Sequence, residues 1–145
     1  MPPTLVPELT VADYGSALRF YCEVLGWQIV YDRPDEEFAY LRCDGAELMI
    51  DGLRIGRNFN VALIPDHRPF GRGVNLEITV PAVQPLLDAL EAAGHALHLP
   101  PEEKWYSVGT YEVGQGQFIV ADPDGYLLRF AESLGTRPLQ AGDAI

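Results

Sequence analysis

VADPDGYLLRF, Val120 to Phe130, carries a tight turn straight into a short strand, and CDGAELMI, Cys43 to Ile50, does the same earlier in the chain. After each glycine the side chains alternate, so every second residue faces the same side. Asp122-Pro123-Asp124-Gly125 is a strong turn signal. Proline presets φ at the second position, and Gly125 accepts a positive φ without steric cost. Four residues beyond each turn glycine stand Met49 and Arg129.

Around the first stretch, residues 4–11 (TLVPELTV) predict a strand, with Leu5, Pro7, Leu9 and Val11 on one face and Val6, Glu8 and Thr10 on the other. Asp13 is placed to cap the helix YGSALRFYCEVL, in which Ala17, Phe20, Tyr21, Val24 and Leu25 make an apolar stripe ended by Gly26. WQIVYD and FAYLRC read as strands on either side of a charged turn, and Asp44-Gly45 turns the chain into AELMID. Around the second stretch, VNLEITV predicts a strand. Val83 to Ala93 predicts a helix with Val83, Leu86, Leu87 and Leu90 inward, and HALHLP and QFIVA predict further strands.

The second half thus repeats the first. PELTV matches LEITV, EVLGW matches EAAGH, and DGAELMI matches DGYLLRF. Gly26 and Gly94 are 68 residues apart, whereas Gly45 and Gly125 are 80 apart. The extra 12 fall at EEKWYSVGTYE, expected as part of a long loop or arm. The expected fold class is α+β, a single domain over residues 1–145. It comprises a βαβββ module over about 4–51, a connector over 52–72 with NVALI as its strand candidate, a second module over about 73–133, and a frayed tail at 134–145. Paired, two such modules form a curved, mostly antiparallel sheet whose inner face is a cleft.

Apolar residues make up 48% of the 145 and charged residues 21%, an ordinary globular balance. The formal net charge of −11 argues against nucleic acid, whose phosphates it would repel. No apolar run approaches the ~20 residues a membrane helix needs. The opening MPPTLVPELTV lacks the basic and apolar regions of a secretory signal, so a cytoplasmic location is expected. Cys22 and Cys43 are expected as small buried groups rather than a disulfide.

The order VPELTVADYGSALRFYCEVLGW, DGAELMI, VNLEITV, DPDGYLLRF resembles the vicinal oxygen chelate superfamily, over about residues 4–133. That group includes glyoxalase I, extradiol dioxygenases, fosfomycin-resistance enzymes and bleomycin-resistance proteins. The resemblance implies a metal on the inner face, held by His or Glu from the first strand of each module and from the closing strands. The matching positions here are Val6, Met49, Asn75 and Arg129. A divalent ion needs N, O or S donors. Valine offers none, arginine stays protonated, and a methionine thioether suits only soft metals. No metal, cofactor or catalytic residue is therefore expected. Within the superfamily, a metal-free pocket marks the bleomycin-resistance type, which sequesters its drug unaltered, and PDEEFAYLRCDGAELMI resembles that group. A tryptophan common there before the seventh strand is replaced by GQGQF. The resemblance also implies a homodimer with clefts walled by both subunits.

The expected ligand-binding set is Glu8, Phe38, Tyr40, Glu47, Met49, Asn75, Glu77, Trp105, Tyr106 and Arg129. By parity Glu8, Glu47 and Glu77 share the face of Val6, Met49 and Asn75, opposite Leu48, Ile50, Leu76, Ile78, Leu128 and Phe130. Like charges about 4 Å apart repel by roughly 4 kcal/mol at an effective dielectric of 20. The glutamates therefore either stand at strand ends in water or are met by Arg129, a proton or a bound cation. Phe38 and Tyr40 either pack in the core or stack on flat rings, and Trp105 and Tyr106 are expected to meet a ligand or a partner subunit. His95 and His98, three apart on a predicted strand, would face opposite ways, and His67 reads as a surface residue. The function expected is metal-independent binding of a cationic, aromatic small molecule such as a glycopeptide antibiotic. The alternative is a lyase, isomerase or dioxygenase holding a metal through Glu8, Glu47, Glu77 or His67.

Overall fold

A computed structural model describes residues 3, 5–53 and 74–139. NVALI and His67 lie outside them. The elements run β1 (Glu8–Val11), α1 (Tyr14–Leu18) continuing as a π-helical segment (Arg19–Val24), β2 (Gln28–Arg33), a 3-10 turn (Pro34–Glu36), β3 (Phe38–Cys43) and β4 (Ala46–Gly52). There follow β5 (Asn75–Thr79), α2 (Gln84–Ala92), β6 (Leu99–Val108), β7 (Tyr111–Ala121) and β8 (Leu127–Pro138). They form two four-stranded sheets of the same topology, β1-β4-β3-β2 and β5-β8-β7-β6. In each, the first strand of the unit (β1 or β5) lies parallel to its neighbour and the other pairs are antiparallel. One compact unit holds β1 to β4 with the turn Asp122–Tyr126; the other holds β5 to β8 with α2. Among the described residues no helix is long and apolar enough to cross a membrane.

Local chemistry explains the elements. Asp13, extended at φ −127°, accepts from the Ser16 N–H and satisfies one orphan donor at the start of α1. Ala17, Phe20, Tyr21 and Leu25 are buried, and Gly26 ends the helix at φ +81°. Phe20, Tyr21 and Trp27 meet edge to face, an arrangement aromatic rings favour. In the second unit, Phe118 and Phe130 stack at 5.5 Å and, with Ile78, Val120 and Leu128, are buried. α2 differs from its expected packing. Leu90 alone of its residues is fully buried, while Leu86 and Leu87 are half-buried.

Three expectations are corrected. The segment read as a loop or arm is a hairpin of β6 and β7, because Gly109, at φ +68°, allows a two-residue turn between Val108 and Tyr111. The first part of the tail is also strand: β8 pairs with β7 as far as Pro138, helped by the Arg137–Glu112 ion pair at 2.5 Å. HALHLP enters a strand only at Leu99, so strand alternation does not govern His95 and His98.

Asp122 fixes the turn from which β8 starts. Its Oδ1 accepts from the N–H groups of Asp124 and Tyr126, both at 2.9 Å, and its Oδ2 accepts from the buried Tyr21 hydroxyl at 2.9 Å. Gly125 takes φ +93° and donates back to the Asp122 carbonyl. Tyr126 in turn donates through its hydroxyl to the Thr10 carbonyl, and Asp124 accepts from the Ala12 N–H. Burial raises the Asp122 carboxyl above its ordinary 3.8, with the three hydrogen bonds only partly offsetting it.

Asp122→Ala strands these donors and should cost about 2–3 kcal/mol in urea unfolding, while Asp122→Asn keeps the two backbone bonds and should cost less. A carboxyl raised on folding binds more protons in the native state, so its contribution to stability falls as pH rises above 3.8. The stability difference between wild type and Asp122→Asn should shrink over that interval in a pH series of unfolding curves.

Candidate functional site

Register decides what each sheet shows on the face away from its helix. In the first unit, the partners Glu8↔Met49, Met49↔Tyr40 and Tyr40↔Tyr31 make one row across all four strands. A second row runs Thr10, Asp51, Phe38, Arg33, and a third Glu47, Arg42, Gln28. The face behind them carries Leu9, Val11, Ala39, Leu41, Leu48 and Ile50, all buried.

The first-unit face is aromatic. Tyr31 stacks on Tyr40 with centroids 5.2 Å apart and planes at 18°, and lies 5.9 Å from Phe38. The Arg33 guanidinium sits 4.1 Å over the Phe38 ring while its Nε bonds Glu36 at 2.7 Å, so the charge above the ring is already met. Phe38 and Tyr40 are largely buried, whereas Tyr31 is 48% exposed. Burial, and then the Glu47 carboxylate, push the Tyr40 hydroxyl above the usual tyrosine range, so it stays protonated at neutral pH. Tyr31 and Arg33 were not legible as site residues. A bulge between Ile29 and Tyr31 breaks simple alternation and brings Tyr31, not Val30, beside Tyr40.

The glutamates find different partners. Glu47 has a side chain only 5% exposed and pairs with its cross-strand neighbour Arg42 at 2.9 Å, an arginine the sequence reading had not assigned to it. Glu77 lies opposite Arg129, 3.8 Å from its Nε, and Glu8 is exposed in the row of Met49.

The second-unit face is polar. Asn75 and Glu77 on β5, Arg129 on β8 and Gln115 and Gln117 on β7 share this face, and the two glutamines run a chain of hydrogen bonds across it. Gln115 donates to Glu77 (3.2 Å) and to Gln117 (3.0 Å), and Gln117 donates to Glu102 (2.9 Å) and to the Tyr106 hydroxyl (2.8 Å). Trp105 and Tyr106 are adjacent on β6 and so face opposite ways. Trp105 lies against Gly114, its cross-strand partner, and under the Arg137 guanidinium at 4.1 Å.

Two βαβββ units of the same topology define a duplicated α+β fold. The chain belongs to the Glyoxalase/Bleomycin resistance protein/Dioxygenase superfamily, whose profile matches residues 4–130. A superfamily member from Vibrio splendidus 12B01 is 37% identical, with 89% of this chain and 97% of that chain covered and a TM-score of 0.37. TioX from Micromonospora sp. ML1 is similar in fold, at TM-score 0.66 and 22% identity over 91% of this chain and 99% of that one. Lactoylglutathione lyase from Agrobacterium tumefaciens gives TM-score 0.59 and 19% identity over 90% and 95%. No curated protein matches.

The donor set does not fit the divalent ion the superfamily implies. The first unit offers Val6 and Met49, the second Asn75 and an arginine whose charge faces Glu77. Among the described residues, no three His, Cys, Asp or Glu side chains converge.

A methyl added at Gly114 would come within 2.6–2.7 Å of the Trp105 ring. Gly114→Ala should therefore destabilise the β6–β7 hairpin by about 1–3 kcal/mol. Thermal unfolding checks this, and the expected result is a lowered Tm.

Proposed function

We propose that the protein is a metal-independent binder of a flat, cationic small molecule, of the bleomycin-resistance type, which holds its ligand without altering it. A glycopeptide antibiotic bearing planar rings and amines has the required chemistry. The reading is supported above all by the Tyr31–Tyr40–Phe38 cluster on the first sheet, whose outermost ring, Tyr31, is 48% exposed over a buried Tyr40 and Phe38. A ring laid on Tyr31 gains offset stacking, and a cationic ring gains attraction to the π-face as well. Glu8 stands exposed in the same cross-strand row. The net charge of −11 favours encounter with a cation.

Tyr31 is the residue to test, because Phe38 is 6% exposed and its truncation would cost stability whatever its role. Tyr31→Ala should weaken binding of an acridinium probe by roughly tenfold in calorimetry, with little change in unfolding midpoint. EDTA should leave the affinity unchanged, and the probe should be recovered chemically intact. Equal affinity in wild type and Tyr31→Ala, or dependence on a divalent ion, overturns the reading.

A further inference from the structure

The face of the second sheet that carries Glu77 and Gln117 holds an arginine, Arg129, whose Nε donates to no group. Arg129 Nε is buried and has no hydrogen-bond partner. Its nearest carboxylate, Glu77 Oε1, is 3.8 Å away, too far for a hydrogen bond, and that oxygen already accepts from Gln115. Among the described residues the guanidinium makes an ion pair and no hydrogen bond. The surrounding polar groups, by contrast, are committed to one another: Gln117 donates to both Glu102 and Tyr106, and Gln115 to both Glu77 and Gln117. The amide chain holds Glu77 and leaves the arginine fork unanswered.

Such a group is costly to bury and inexpensive to satisfy. A donor left without an acceptor keeps its desolvation penalty, and a planar two-oxygen acceptor matches a guanidinium better than any other common group. The side chain is 29% exposed although its Nε is buried, so solvent reaches part of it and not the Nε itself. Arg129 lies between Glu77 on β5 and Ile119 on β7, which gives the fork a polar flank on one side and an apolar flank on the other.

We infer that Arg129 is the anchor for a ligand carboxylate on the face of the second sheet. The inference rests on reading the bare sheet faces as ligand-binding surfaces. Glu77 competes for the same guanidinium and sets the affinity. The residue therefore acts in opposition to the ligand rather than as its partner, which reverses the role that a cation-attracting carboxylate would have.

Benzoate is the probe, followed by the Arg129 Nε–Hε NMR signal and by calorimetry, with benzamidinium as the cationic counterpart. Benzoate should shift that signal and saturate. Arg129→Gln should weaken benzoate binding by roughly tenfold or more, the loss expected for a charged hydrogen bond. Arg129→Lys, which keeps the charge without the fork, should bind more weakly than wild type but better than Arg129→Gln. Glu77→Gln should bind benzoate more tightly than wild type. Benzoate binding that is absent, or equal in wild type and Arg129→Gln, overturns the inference, as does weaker binding in Glu77→Gln. If benzamidinium binds and loses affinity in Tyr31→Ala while benzoate fails, the carboxylate anchor alone falls. If neither probe binds, the reading of the faces falls with it.

Discussion

A carboxylate at Asp122 and a phenol at Tyr21, 101 positions apart in sequence, meet in the interior at 2.9 Å. The same carboxylate closes the turn by taking the N–H groups of Asp124 and Tyr126. That geometry fixes where β8 begins. Leu127 then pairs with Asn75, Leu128 with Leu76 and Arg129 with Glu77. A strand displaced by one residue would send Arg129 inward and Leu128 outward. The polar face of the second sheet therefore depends on a buried bond that takes no part in it.

The two units share topology and differ in what they display. In equivalent cross-strand rows, the first carries Glu8, Met49, Tyr40 and Tyr31, the second Glu77, Arg129, Ile119 and Leu99. One sheet presents rings; the other presents amides and a guanidinium. Among the described residues no three His, Cys, Asp or Glu side chains converge on either face as a divalent ion would require, and the arginine standing at one of those positions would repel one. On each face a carboxylate has an arginine beside it, Glu47 by Arg42 in the first sheet and Glu77 by Arg129 in the second.

The duplicated βαβββ architecture was legible because its signals are local: a capping Asp13, helix-ending Gly26 and Gly94, and turn glycines followed by alternating strands. Parity, too, could be read wherever strands were regular, which is why the faces of Met49, Glu47, Arg129 and Glu77 came out of counting alone. What was illegible shares one cause. The bulge at Ile29/Tyr31 shifts parity without any glycine to announce it, which hid Tyr31 and Arg33. Gly109 lies in a run of charged and aromatic residues that looks like a loop until its cross-strand partners are known, so only the ends of β6 and β7, at HALHLP and QFIVA, are legible as strand, and the hairpin between them is not. The strand at 134–138 is marked by little except Arg137, whose partner Glu112 is distant in sequence.

β2 is an edge strand held by one neighbour, and all six of its residues are exposed. Its irregular step means that Val30 is the surplus residue and Tyr31 the one presented beside Tyr40. A sideways slide of this ribbon by a single position would trade a tyrosine for a valine there, while leaving the close-packed interior of β3, β4 and the helix untouched. The outermost column of the aromatic surface is thus the part that substitution can alter with the least damage to folding.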